Sequence, residues 1–300
     1  MSRGMLDLPL PAVDDPEGRQ IPAGLVPVID AHVHLFPDPL FKAVRGWFEQ
    51  YGWPIRYPLP AQEVARFLLR RGVERVVALH YAHRPGVARG LNRFMAEMCA
   101  AESRLIGLAT VFPGEPGAAT ILEEGFDEGL VGVKLHAHVQ CFEVDSVAME
   151  EVYDCCAAHD RPLVMHVGRE PRSPAYDCDT HALCDAGRLE RVLRRHAGLR
   201  VCVPHLGADE FDAYRRLLQR YDNLWLDSTM ALAGYLPGAQ PPPLTDYRAD
   251  RVVYGSDFPN IPYAWDRELR RIDAMGLEAG VLRRVLRDNA VELFGLDHTG

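Results

Sequence analysis

The sequence predicts an α/β protein, a single (β/α)₈ TIM barrel with long loop insertions at one end. Two observations predict it. Eight short apolar, β-rich runs alternate with helical stretches along 300 residues, and six of the runs end on a histidine or an aspartate. Near-continuous apolar runs suit parallel strands buried on both faces. An open doubly wound sheet would usually place a glycine-rich phosphate turn after its first strand, and none is present.

The runs are, in order, Val26–His34, Arg75–His80, Leu105–Val111, Leu130–His136, Pro162–His166, Arg200–His205, Leu224–Ser228 and Arg251–Asp257. Helical patterns fall at Ala61–Arg71, Asp145–His159, Thr180–His196 and Asp209–Tyr221, several of them stopped by glycine. Tyr263–Ala274 and Glu278–Phe294 read as closing helices. Residues 1–25 form an N-terminal extension and 26–296 the barrel. Two segments break the repeat: Leu35–Pro60, rich in Phe, Trp and Tyr, and Met230–Tyr247, with Pro241–Pro243. Long loops at the C-terminal ends of barrel strands build sites, so the first reads as an aromatic lid or interface segment.

Composition narrows the function. Hydrophobic residues make up 48% of the chain, ample for one large core. The formal net charge is −9 with no cluster of Lys or Arg, which argues against nucleic acid and anionic membranes as partners. Seven cysteines form no C-x-x-C pair and read as reduced thiols of a cytoplasmic protein. The start carries no basic-then-apolar signal pattern, and no run reaches spanning length. A small-molecule substrate is the expected partner.

The chemistry sits at the strand ends. His32 and His34 alternate onto one face of the first strand, with Asp30 one step deeper. His166 ends the fifth run, His205 the sixth and Asp257 the eighth. In a closed barrel these ends converge, and imidazoles with a carboxylate at one point predict a divalent metal. Such a cation lowers the pKa of its bound water toward about 7. Asp257 can ligate the metal and take a proton, and His205 can polarise a carbonyl or shuttle a proton. His80 and Asp227 are candidates for touching substrate or for holding a ligand in place. Arg84 and Arg169 follow strand ends and are candidates for a substrate carboxylate. Cys155 and Cys156 read as core; His138 and His159 read as surface or loop histidines.

Five motifs, Asp30-Ala-His-Val-His34, Val131-Gly-Val-Lys-Leu-His136, Met165-His-Val-Gly168, Pro204-His-Leu-Gly207 and Tyr254-Gly-Ser-Asp-Phe-Pro259, with Asp288-Asn-Ala-Val-Glu-Leu-Phe294 at the end, resemble one family. It is the amidohydrolase superfamily, in the amidohydrolase-related branch that includes aminocarboxymuconate-semialdehyde decarboxylase-like proteins. The resemblance spans about residues 26–296. It implies a metal shell of His32, His34, His166 and Asp257, with His205 as a second-site ligand or a catalytic acid/base. Imidazole and carboxylate donors suit Zn²⁺, with Mn²⁺ or Fe²⁺ as other choices, and the resemblance brings in the homodimer that members of the family often form. In binuclear members a carboxylated lysine bridges two metals; Lys134 stands at that place. The branch mostly uses one metal, so one per chain is expected, with Lys134 an ammonium in the site. The leading expectation is hydrolysis of a small amide, ester or lactone. The second is nonoxidative decarboxylation or hydration of a small, often aromatic, carboxylic acid. A metal-retaining barrel without activity is a third class, and the aspartate base at a strand end argues against it.

Overall fold

The computed structural model describes residues 12–22, 24, 25, 27–170, 173–235 and 240–297. Val26, the expected start of the first strand, and 236–239 of the second long loop lie outside the described residues.

Eight parallel strands appear in the expected order: β1 Val28–His34, β2 Val73–Leu79, β3 Leu105–Gly107, β4 Val133–His136, β5 Leu163–His166, β6 Val201–Val203, β7 Leu224–Asp227 and β8 Val252–Val253. They pair as β1-β2-β3 and β4-β5-β6-β7-β8. Isolated bridges join the two sheets at both seams, Ala109 to Val133 and Val33 to Phe258. Backbone bonds reinforce the second seam, Ala31 N–H to Tyr254 O at 2.9 Å and Asp257 N–H to His32 O at 3.0 Å. The strands thereby form a continuous ring.

Alternation sorts the side chains. Along β4 to β8, Val133, Leu163, Val201, Leu224 and Val252 face the outer core against the helices. Val164, Cys202, Trp225 and Val253 face the barrel interior, together with Ile29, Val77, Leu79 and Leu108. The last helix, α12 (Asn289–Phe294), adds Ala290, Val291, Leu293 and Phe294 to that interior cluster and closes the end away from the strand C-termini.

Several boundaries differ from the sequence reading. Leu35–Pro60 is not a bare loop: α1 spans Asp38–Tyr51 within it. The expected Thr180–His196 helix is two, α7 (Thr180–Leu183) and α8 (Ala186–Arg195). Asp185 between them caps the second, its carboxylate accepting from Arg188 N–H at 2.7 Å. Helices α2 (Ala61–Leu69), α3 (Ala88–Ala101), α4 (Ala118–Asp127), α6 (Glu150–Ala158), α9 (Phe211–Arg220), α10 (Arg267–Ala274) and α11 (Ala279–Arg283) also fill out the ring. The segment around Asp15–Gly18 packs on the barrel, Asp15 pairing with Arg267 at 3.1 Å and Trp265 Nε1 donating to Gly18 O at 3.0 Å. Among the described residues no helix is long and apolar enough to cross a membrane.

Candidate active site

β1 sets the first part of the site. Its register with β2 slips between Asp30 and Val33, so strict alternation fails there. Ile29 and Ala31 face the interior cluster, while His32 and His34, beyond the slip, line a cavity. Asp30, expected on their face, instead accepts from the backbone N–H of Ser256 at 3.0 Å and of His32 at 3.3 Å. Burial pushes its carboxyl up to about 7, and the bonds at Ser256 and His32 only partly oppose this. Asp30 is a brace between β1 and the end of β8.

His32 Nδ1 lies 2.8 Å from Asp227 Oδ2, at the end of β7. The carboxylate accepts, so Nδ1 carries the proton and the Nε2 lone pair is free. That nitrogen is 3.3 Å from His34 Nε2, 3.6 Å from Asp257 Oδ1 and 3.4 Å from Lys134 Nζ. His34 Nε2 is 2.9 Å from Asp257 Oδ1, and its buried Nδ1 has no hydrogen-bond partner. His32, His34 and Asp257 each offer one atom within 4.8 Å of the others. Two imidazoles and a carboxylate, one lone pair already aimed inward by Asp227, fit Zn²⁺, Mn²⁺ or Fe²⁺. Burial raises the Asp257 carboxyl, but the His34 hydrogen bond and the neighbouring histidines outweigh it and hold it down at about 2. Gly255 is required beside this group, because a Cβ there would meet His32 Cβ at 2.6 Å.

His205 and Asp257 share a backbone feature. Both follow their strands at positive φ, 58° and 65°, and so does Met230 after β7, at 61°. Such conformations cost of order 1 kcal/mol in a non-glycine residue and cluster at functional sites. His205 Nδ1 is 2.9 Å from Thr229 O, and its Nε2 is 3.3 Å from His166 Nδ1.

His166 is not in the His32–His34–Asp257 group. Its Nε2 stands 2.7 Å from Glu170 Oε1, a carboxylate four residues on. His136 stacks on it, centroids 4.1 Å apart and planes within 8°. His138, expected at the surface or in a loop, is fully buried in the one-turn helix α5 (Ala137–Gln140) that follows β4. Its ring meets His166 edge-on and Tyr176. His159 is exposed as expected, and Cys155 and Cys156 are buried. Glu170 escaped the sequence reading; the only signal was its spacing from His166.

Lys134 on β4 is fully buried. Burial lowers its ammonium to about 8, and Asp227 and Asp257 oppose the shift. Among the described residues lining the cavity it is the one lysine or arginine. Arg84, exposed, and Arg169, paired with Asp185 at 3.5 Å, are the candidates for a carboxylate clamp, and neither is among the residues lining the cavity. The cavity measures about 250 Å³ and is walled by Trp47, Phe48, Tyr51, Trp53, Tyr81 and Tyr176. The aromatic segment thus covers the site through α1.

His80 is buried, its Nε2 3.3 Å from Asn92 Oδ1, and is not among the residues lining this cavity. Burial pushes its imidazole down to about 4. The folded state therefore binds fewer protons than the unfolded one between pH 6.5 and 4. The stability is complete above pH 6.5 and lost as pH falls toward 4. His80 alone should account for about 2 kcal/mol between pH 7 and pH 5. Urea midpoints of wild type and His80→Asn at both pH values test this: the variant should lose less on acidification, and equal losses would refute the assignment.

A (β/α)₈ barrel with histidines and aspartates gathered at its strand ends is an enzyme scaffold, and the comparisons place it. The amidohydrolase family model Amidohydro_2 matches residues 29–296. The chain belongs to this family. Its sequence matches none of the curated proteins. Among solved structures it resembles an uncharacterised TIM-barrel protein from Bordetella bronchiseptica, with 19% identity, TM-score 0.67 and coverage of 90% of this chain and 99% of that one. It also resembles 5-carboxyvanillate decarboxylase from Novosphingobium aromaticivorans, complexed with manganese and 4-hydroxy-3-methoxy-5-nitrobenzoic acid, at 17%, 0.64, and 94% and 100%. A third is 2,6-dihydroxybenzoate decarboxylase from Rhizobium, at 17%, 0.63, and 90% and 98%.

Proposed function

We propose that the protein is a metal-dependent nonoxidative decarboxylase of a small aromatic carboxylic acid. The observation that carries this reading is Lys134, a buried ammonium inside an aromatic-walled cavity, 3.4 Å from the imidazole nitrogen His32 Nε2. The cavity has room for one substituted ring. Two structurally similar proteins are named for decarboxylating such acids, one of them holding manganese and a nitrobenzoic acid. This favours the second expectation from the sequence over hydrolysis of an amide, ester or lactone.

In this reading His32, His34 and Asp257 hold the metal. The divalent cation, when bound, stabilises negative charge that builds on the substrate as carbon dioxide leaves. Lys134 binds an anionic oxygen of the substrate in a dry pocket, where the attraction is strong. Trp47, Phe48 and Tyr81 stack on the ring and keep water out. Asp227 fixes the His32 tautomer. The carbon that loses carbon dioxide needs a proton, and His205, lining the cavity with Nδ1 tied to Thr229 O, delivers it from Nε2. Zn²⁺ and Mn²⁺ both suit these donors.

The test is a panel of hydroxybenzoic acids, aryl esters and lactones, with the protein loaded with Mn²⁺ or Zn²⁺. Release of carbon dioxide and of the decarboxylated phenol from at least one acid is expected. Turnover of an ester or lactone with none of the acids would overturn the reading.

A further inference from the structure

Two cysteines meet on the loops that follow β4 and β5. Cys141 ends α5, and Cys178, 37 residues on, lies between β5 and α7. Their Sγ atoms are 3.0 Å apart, nearer than the roughly 3.5–4.0 Å at which non-bonded carbon atoms rest. Both thiols also face one acceptor, His138 O, which lies 3.6 Å from Cys141 Sγ and 3.5 Å from Cys178 Sγ. The other five cysteines are less accessible than Cys141. Cys155, Cys156, Cys184 and Cys202 are buried and Cys99 is half-buried, whereas Cys141 is exposed.

The backbone adds a second observation. Cys141 holds φ 52° and ψ 47°, the left-handed conformation in which a helix usually ends on glycine or asparagine. A cysteine there carries a cost that glycine avoids, and its sulfur falls on Cys178. The α5 side is anchored by Gln140. Its Nε2 donates to Ala82 O at 2.9 Å and to Val111 O at 2.8 Å, and its Oε1 accepts from His136 N–H at 2.8 Å. The bonds within 173–178 are local, Ala175 N–H to Ser173 Oγ at 3.2 Å and Tyr176 N–H to Ser173 O at 3.5 Å. This segment carries Ser173 and Tyr176, which line the cavity. The Tyr176 ring lies 5.4 Å from that of Trp47 and 5.5 Å from that of His138.

We propose that Cys141 and Cys178 form a reversible thiol–disulfide site that ties the Tyr176 wall of the cavity to α5. The oxidant is a small-molecule disulfide. Cys141, as its thiolate, attacks one sulfur of that molecule. A mixed disulfide forms, the small disulfide bond breaks, and one small thiol leaves with the proton given up by Cys141. Cys178 then attacks Cys141 Sγ, the mixed disulfide breaks, and the second small thiol leaves with the Cys178 proton. Two protein thiols are oxidised to one cystine, and the small disulfide is reduced to two thiols. Burial pushes the Cys178 thiol up to about 12, which assigns the first attack to the exposed Cys141. Excess small thiol reverses both steps, so a reducing compartment keeps the pair open.

The site does not depend on which reaction the cavity catalyses. The experiment is incubation of the folded protein with oxidised glutathione, then thiol blocking and a peptide map without reduction. Wild type should lose two of its seven titratable thiols and yield a Cys141–Cys178 crosslink that dithiothreitol reverses. Cys178→Ser should stop at a glutathione adduct on Cys141, and Cys141→Ser should leave Cys178 unmodified over the same time. Circular dichroism checks the fold of each variant. Amide hydrogen exchange across 173–178 should slow in oxidised wild type and recover on reduction. Separate glutathione adducts on the two cysteines of wild type, or two thiols that stay free, would refute the site. A crosslink that leaves this exchange unchanged would refute the tie to the cavity wall.

Discussion

Replacing Asp257 by Asn should lower turnover by about 10²–10⁴-fold while leaving the fold intact. Asp257 Oδ1 takes the His34 Nε2 contact at 2.9 Å and faces His32 Nε2 at 3.6 Å. Its carboxylate is ionised, since the histidines hold it near 2. Asn removes that charge from a buried position, where losing one partner of a buried charged pair costs about 3–5 kcal/mol, or two to four decades in affinity or rate. The backbone argument makes the variant clean. Asp257 sits at φ 65°, and asparagine adopts that region as readily as aspartate. Loss of activity would therefore report chemistry rather than misfolding. Steady-state kinetics at saturating Mn²⁺, with metal content measured in parallel, decide it. Turnover within about tenfold of wild type would remove Asp257 from the metal group.

The strand ends were readable because each closes an apolar run with a polar residue that has no reason to be buried unless it serves a site. His32, His34, Lys134, His205 and Asp257 all line the cavity. What stayed hidden depends on local geometry that periodicity does not encode. The β1 register slip moves Asp30 off the face that strict alternation assigns it. The single turn of α5 holds His138, which reads as a surface or loop residue, fully buried. Glu170 lies in a coil segment after β5, so its four-residue spacing from His166 carried no helical meaning. Arg169, beside it, has the side chain a carboxylate clamp needs, yet points to Asp185. The aromatic residues of 35–60 were visible as composition, but their common purpose appears only once α1 lays Trp47, Phe48 and Tyr51 along one wall.

Lys134 gives the other large effect, and its sign separates two chemistries. Carboxylation requires a neutral amine, and burial has moved the ammonium only to about 8, with Asp227 and Asp257 holding it up. At pH 7 about one lysine in ten is then neutral. The ammonium is the dominant form and faces two carboxylates whose charge it balances. Lys134→Met keeps the volume and removes the charge. It should reduce kcat/KM for an aromatic acid by about 10²–10⁴-fold, the cost of a buried charged contact. Metal content should stay at the wild-type value, and activity should not depend on bicarbonate during metal loading. Wild-type activity should also fall as pH rises through about 8, because deprotonation removes the group that binds the substrate anion, and this limb should be absent in the variant. Loss of a metal in Lys134→Met, together with bicarbonate-dependent activation of wild type, would make Lys134 a carboxylated bridge and return the balance to metal-activated hydrolysis.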